Sequence, residues 1–245
     1  IELIDEFHGD NMITVTVRAD IFSQDKKCFA LDYKKSILIT KSHLTQREQA
    51  NIGKIYKLDA AVMNQLNKKL AQQSSYSKGK LLLKSATEFS RLNASFNEEK
   101  IRQLAISIAD TTDSQYVLFS EINDLSFEQQ RTNAWKIWNQ GTYPRNFDLT
   151  LYLYNGLSGE QIWQGNYHNA MVWDFNKRKS IDVNASAFWQ SDYGNMINTL
   201  LDTMVKDIDE SVMCEPSEGK IVQVKGNQII INLGQHHGVK VGDEF

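Results

Sequence analysis

The chain has 245 residues and a net charge of −3, with 41% hydrophobic and 23% charged residues. This composition is typical of a globular protein rather than a disordered one. The charge leaves no basic footprint, which disfavours nucleic-acid binding. No apolar run reaches the roughly 18 to 20 residues that a membrane-spanning helix needs.

The first zone, residues 1–27, contains a strand in which apolar and polar side chains alternate strictly. Ile13, Val15 and Val17 point to one face, and the polar residues between them point to the other. A lone strand cannot bury its apolar face, so we expect its partners elsewhere in the protein.

The second zone, residues 28–214, predicts an α+β domain in which a central mixed sheet has its helices packed on one face. Candidate strands are 31–40, 80–85, 115–127, 147–155 and 161–174. The last two are joined by a turn-rich stretch, which predicts antiparallel pairing.

Three helices are predicted in this zone. The first begins near Thr45, where Glu48 completes a capping box, and the second begins at Ser95, with Glu98 in the same role. The third is indicated by apolar residues at helical spacing over 197–208.

The third zone, residues 215–245, predicts a hairpin around Gly226 and the start of a small β-barrel. The sequence starts with Ile1 rather than Met and stops at Phe245 inside a glycine-punctuated apolar pattern. We therefore expect both ends to be cut from a longer protein.

The only two cysteines, Cys28 and Cys214, stand at the borders of the second zone. In an exported protein they would pair as a disulfide. In a cytosolic protein they would be two unrelated thiols.

No motif for catalysis or metal binding is present. The sequence lacks HExxH, CxxC, G-x-S-x-G and phosphate-binding glycine loops. We predict no catalytic residue, no metal site and no cofactor, and hence that the protein is not an enzyme.

The segment 131–145 is the best candidate for a protein-binding surface. It contains the aromatic residues Trp135, Trp138 and Tyr143 and is bounded by Arg131 and Arg145. Aromatic residues and arginine are enriched at protein interfaces. The alternative is that Trp135 and Trp138 fold back and cover the sheet.

Several stretches of the sequence resemble the flagellar assembly protein FlgT family, whose members build the H ring of sodium-driven polar flagella. The stretches are 13–21, 45–53, 191–195, 232–234 and 238–243. The resemblance implies that residues 1–27 end an N-terminal α/β domain. Residues 28–214 would be a middle domain similar to the TolB N-terminal domain, and 215–245 would start a C-terminal β domain.

The resemblance also implies a function without catalysis. Such a protein lies in the periplasm near the outer membrane and surrounds the LP ring of the flagellar basal body. It assembles into a ring and helps recruit MotX and MotY, which hold the stator. A periplasmic location favours the Cys28–Cys214 disulfide. The alternatives are a TolB-like envelope module that binds proteins and a cryptic hydrolase.

Overall fold

The computed structural model describes residues 2–8, 13–18, 33–83, 86–128, 144–234 and 239–242. The chain divides into two compact units, residues 1–30 and 31–245.

The first unit contains an antiparallel hairpin of β1 (Glu2–His8) and β2 (Ile13–Arg18). The pairing runs from Glu2 opposite Arg18 to His8 opposite Ile13. The predicted alternating strand is therefore present, but it is not a lone strand. Its partner is the stretch that immediately precedes it.

The second unit is built on one mixed sheet, which confirms the predicted α+β class. Its strands lie in the order β5-β3-β6-β7-β8, and β4 pairs beside β6. The strands β3, β4, β5 and β6 pair in parallel, whereas β7 is antiparallel to both β6 and β8. The strands are β3 (Lys35–Thr40), β4 (His43–Leu44), β5 (Ser77–Leu82), β6 (Tyr116–Asp124), β7 (Pro144–Asn155) and β8 (Gln161–Val172).

Five α-helices and one 3-10 segment accompany this sheet in the part of the chain that the structure describes. The 3-10 segment, Arg47–Lys54, is interrupted by non-helical backbone at Ile52 and Gly53. The helices are α1 (Leu58–Gln73), α2 (Ala86–Ala94), α3 (Glu98–Thr112), α4 (Ser186–Gln190) and α5 (Asp192–Val212).

The helices lie on both faces of the sheet, so the prediction of helices on one face is wrong. Ile37 and Ile39 of β3 pack into a core with α1, α4 and α5, whereas Leu38 packs into a second core with α2 and α3. The chain passes from β3 through α1 to β5, and then through α2 and α3 to β6 on the other side of β3. Parallel crossovers are right-handed in about 98% of cases. Crossovers that run in opposite directions along a sheet therefore place their helices on opposite faces.

Both predicted capping boxes are wrong. The Thr45 hydroxyl donates to the carbonyl oxygens of Ile122 (3.1 Å) and Asn123 (3.2 Å), which ties the end of β4 to β6. The Ser95 hydroxyl donates to the Leu92 carbonyl in the turn after α2. Helix α3 is instead capped by the Asn97 side chain, which accepts from the Lys100 N–H (3.2 Å).

The two predicted hairpins of this unit are present. β7 and β8 are joined by a turn in which the Asn155 side chain accepts from the N–H groups of Leu157 (2.8 Å) and Ser158 (3.0 Å). At the carboxyl end, β9 (Ile221–Lys225) pairs antiparallel with β10 (Gln228–Ile231). Gly226 turns this second hairpin with a φ of 61°. The residues described after Lys220 form no closed barrel.

Candidate protein-binding surface

The predicted binding segment lies in the sequence between β6 and β7 and includes the first two residues of β7. Arg131, Trp135, Trp138 and Tyr143 lie outside the described residues. The chain on either side of them is paired: the Glu128 N–H donates to the Pro144 carbonyl (3.0 Å), and the Asn146 N–H donates to the Ser126 carbonyl (2.8 Å). We call this paired structure, residues 124–128 and 144–146, the base of the segment.

Arg145, which the sequence predicts as part of a protein-binding surface, is buried inside the base rather than exposed. Its side chain is 0% exposed. The Nε–H donates to the carbonyl of Leu125 (3.0 Å), and the two terminal nitrogens donate to the carbonyls of Ile52 (3.1 Å) and Gln49 (2.8 Å). The guanidinium therefore joins the base to the 3-10 segment.

Aromatic rings enclose the Arg145 guanidinium. It lies 4.4 Å from the ring centre of Trp173 and 5.0 Å from that of Phe127. Burial lowers the pKa of Arg145 to about 10, so the group is still charged at neutral pH. Because its acceptors are neutral carbonyls, the rings supply the remaining favourable contact with the cation.

Two further polar side chains hold the base in shape. The Tyr193 hydroxyl donates to the Asn146 carbonyl (2.9 Å), and burial raises the pKa of Tyr193. The Asp124 carboxylate accepts from the backbone N–H (2.8 Å) and hydroxyl (3.0 Å) of Ser126 and from the Asn146 amide (3.1 Å). Burial alone would raise the pKa of Asp124, but these hydrogen bonds outweigh it and leave that pKa lowered.

The 3-10 segment fits closely against the base. The Gln49 side chain accepts from the Leu125 N–H (2.6 Å). Gly53 has a φ of +78°, and a Cβ there would lie 2.8 Å from the Trp173 ring. The sequence alone predicts no role for Gln49, Gly53 or Asp124. The one signal in the sequence was Gly53, because a glycine inside a predicted helix can mark an interruption or a close approach of the backbone.

Other predicted features can be placed only in part. Cys214 follows the end of α5, but Cys28 lies outside the described residues, so the disulfide stays a prediction. Within the described ranges, no three His, Cys, Asp or Glu side chains are placed to hold a metal ion. In the same ranges, none of the helices has the length and apolar character needed to cross a bilayer.

The fold is an α+β domain, and the buried contacts of the base fix the chain on either side of the predicted binding segment. Residues 26–183 match the family model described as flagellar assembly protein T, middle domain. The chain therefore belongs to the flagellar assembly protein T family, and it acts in flagellar assembly. The match overlaps most of the second zone of the sequence.

Three solved structures are similar to this chain at low sequence identity. The PelC dodecamer from Paraburkholderia phytofirmans is 10% identical, covers 74% of this chain and 92% of its own, and has a TM-score of 0.44. A hypothetical protein from Chlamydia trachomatis is 12% identical, with coverages of 73% and 98% and a TM-score of 0.45. The LpoB C-terminal domain from Escherichia coli is 18% identical, with coverages of 58% and 86% and a TM-score of 0.33. Among curated proteins, none matches this sequence. The similarity to the TolB N-terminal domain stays a prediction.

Proposed function

We propose that this protein is a non-catalytic structural component of the H ring of the flagellar basal body. In this proposal it lies in the periplasm near the outer membrane, surrounds the LP ring and helps recruit MotX and MotY, and hence the stator. Membership of the flagellar assembly protein T family is the observation that carries the proposal. The function requires neither a cofactor nor a substrate, only repeated contacts between protein surfaces.

The segment that contains Arg131, Trp135, Trp138 and Tyr143 is the proposed contact with other ring proteins. The support comes from its base, where Arg145 donates three hydrogen bonds and is enclosed by aromatic rings. A rigid base lowers the entropy lost when a surface segment binds a partner. Tryptophan and tyrosine are also the side chains that most often dominate interface energies.

A double variant, Trp135→Ala with Trp138→Ala in the full chain, tests this contact. We expect reduced motility, and basal bodies that have lost the H ring and retain less MotX and MotY. Leu157→Ala is the matched control, because Leu157 is 64% exposed in the β7–β8 turn at the opposite end of β7. Normal rings in the double variant, with an intact fold by circular dichroism, would exclude the segment as a contact.

The domain division at 1–27, 28–214 and 215–245 belongs to the same proposal. Its support is the hairpin of β9 and β10, in which Ile221, Val222, Val224 and Ile229 are each at least 60% exposed. Exposed aliphatic side chains on a two-stranded hairpin are typical of a strand pair that packs against further strands.

A Cys28–Cys214 disulfide is proposed on the basis of the periplasmic location. In the chain-entropy model, a disulfide that closes a loop of this length stabilises the folded state by roughly 5 kcal/mol relative to the unfolded chain. Titration of thiols in denaturant tests it: we expect none before reduction and two after it. Two reactive thiols in the unreduced protein would contradict the disulfide and leave the ring proposal intact.

A further inference from the structure

A concave region, apart from the base, lies towards the carboxyl ends of β4 and β6, on the face of the sheet that α2 covers. Its cavity measures about 560 Å³ and is lined by residues of β4, β6 and α2. Cavities of about 300 to 1,000 Å³ are the usual size for small-molecule sites. The cavity is separate from the base of the segment and does not depend on the proposed ring function.

The topology of the sheet favours a ligand at this position. The strand order reverses at β3, because the chain goes first to β5 on one side and then to β6 on the other. In open sheets with parallel strands, ligands bind outside the carboxyl ends of the strands at such a reversal. Glu121 lies there, beside His43 in the register of β6 and β4.

Glu121 is the carboxylate among the lining residues of the cavity, and it is only 7% exposed. Its Oε2 accepts from the Asn93 amide (2.9 Å) and the Tyr152 hydroxyl (3.0 Å). No lysine or arginine in the described ranges lies within 4.0 Å of its carboxylate. A buried carboxylate without a cationic partner favours a ligand that brings a positive charge.

Helix α2 adds two features to the cavity. Its last residues, Asn93 and Ala94, line the cavity, so the negative end of the helix dipole lies at the site and also favours a cation. Arg91, which is exposed, lies on the same lining as a separate positive group. Arg91 would repel a simple cation, but it can hold a carboxylate on the same ligand.

We propose that this cavity binds a zwitterionic ligand of the amino-acid type. A guanidinium or ammonium group of the ligand is bound by Glu121, and its carboxylate is bound by Arg91. Ser90, a buried residue of α2 that immediately precedes Arg91, also lines the cavity and adds a further polar group. The ligand is either a free amino acid or a chain end that ends in arginine.

Titration of the ¹⁵N-labelled full chain with L-arginine, followed by NMR, tests the proposal. We expect saturable shifts at Thr45, Thr87 and Glu121. Agmatine, which lacks the carboxylate, should bind at least about tenfold more weakly, which corresponds to the loss of one charged hydrogen bond of about 1.4 kcal/mol or more. Propionate, which lacks the cation, should not bind.

Variants separate the two halves of the site. Glu121→Gln and Arg91→Gln should each weaken L-arginine binding by about tenfold or more. The controls are Glu160→Gln and Arg102→Gln, because these residues form an exposed pair (3.8 Å) that lines a different cavity. Arg91 is exposed, so its variant will fold even if Glu121→Gln does not.

Three outcomes would overturn the proposal: no saturable binding of L-arginine, equal binding of agmatine, or unchanged binding in both Glu121→Gln and Arg91→Gln. Acetyl-glycyl-arginine distinguishes the two sources of ligand. Binding as tight as that of L-arginine supports a chain end, and absence of binding supports a free amino acid. Motility and H-ring retention of the Trp135→Ala, Trp138→Ala double variant test the ring proposal separately, because the variants of this cavity leave that segment unchanged.

Discussion

Replacement of Arg145 by leucine removes the group that joins the base to the 3-10 segment. The carbonyl oxygens of Gln49, Ile52 and Leu125 then lose their donor inside the protein. Hydrogen bonds to charged groups contribute about 1.5 to 3 kcal/mol each, so the three bonds represent roughly 5 to 9 kcal/mol. Leucine also removes the cost of burying the guanidinium, which is several kcal/mol. We therefore expect a net loss of about 3 to 5 kcal/mol in the free energy of unfolding.

Urea denaturation measures this loss, with circular dichroism for the whole fold and tryptophan fluorescence for the region of Trp173. Arg145→Lys keeps the charge but not the planar fork of donors, so we expect a smaller loss of about 1 to 3 kcal/mol. The control is Arg102→Leu at an exposed ion pair, where a change within about 1 kcal/mol is expected. If Arg145→Leu stayed within about 1 kcal/mol of the parent protein, the three carbonyls would be satisfied without the guanidinium, and the base would not depend on Arg145.

Three other substitutions test the energetics elsewhere in the second unit. Lys35 is fully buried, and its Nζ has no hydrogen-bond partner in the described part of the chain, so Lys35→Met should raise the free energy of unfolding at pH 7 by about 1 to 3 kcal/mol. Burial lowers the pKa of Lys35 below its ordinary 10.5, so the parent protein gains stability as pH rises towards that value, and the advantage of the variant measured in urea should shrink. Asp124→Asn should cost about 1 kcal/mol at pH 7. Because hydrogen bonds lower the pKa of Asp124 in the folded state, that difference should disappear in unfolding curves recorded as pH falls below about 3.9. Gly194→Ala would place a Cβ 2.0 Å from the Phe188 carbonyl oxygen, so we expect a lower melting temperature and a loss of about 1 to 3 kcal/mol; an unchanged melting curve would contradict the close packing of α4 on α5.

Local patterns in the sequence predict much of the sheet and the longer helices. Alternation and a turn-rich stretch identify β7 and β8, and apolar residues at helical spacing identify α3 and α5. Helix α2 was missed because it is only nine residues long and ends just before the false capping signal at Ser95. The consecutive apolar residues at 37–39 and 116–119 are typical of strands that are covered on both faces, and both runs are buried in the structure.

The base of the segment could not be predicted from local sequence. Arg145 lies in a stretch rich in polar and aromatic residues, and that composition favours a surface position. Its burial depends on carbonyls at Gln49 and Ile52, more than 90 residues away. These contacts involve backbone carbonyls, which every residue type has, so no pattern of side chains in the sequence predicts them.

The paired base has an evolutionary consequence. The hydrogen bond between the Glu128 N–H and the Pro144 carbonyl holds the two ends of the loop together. The folded domain therefore offsets the entropic cost of closing the loop. The fifteen positions between them can then be exchanged, shortened or lengthened at little thermodynamic expense, as in the grafted loops of antibody frameworks. Under the proposed function, changes in this segment would alter the contact with other ring proteins while leaving the core unchanged.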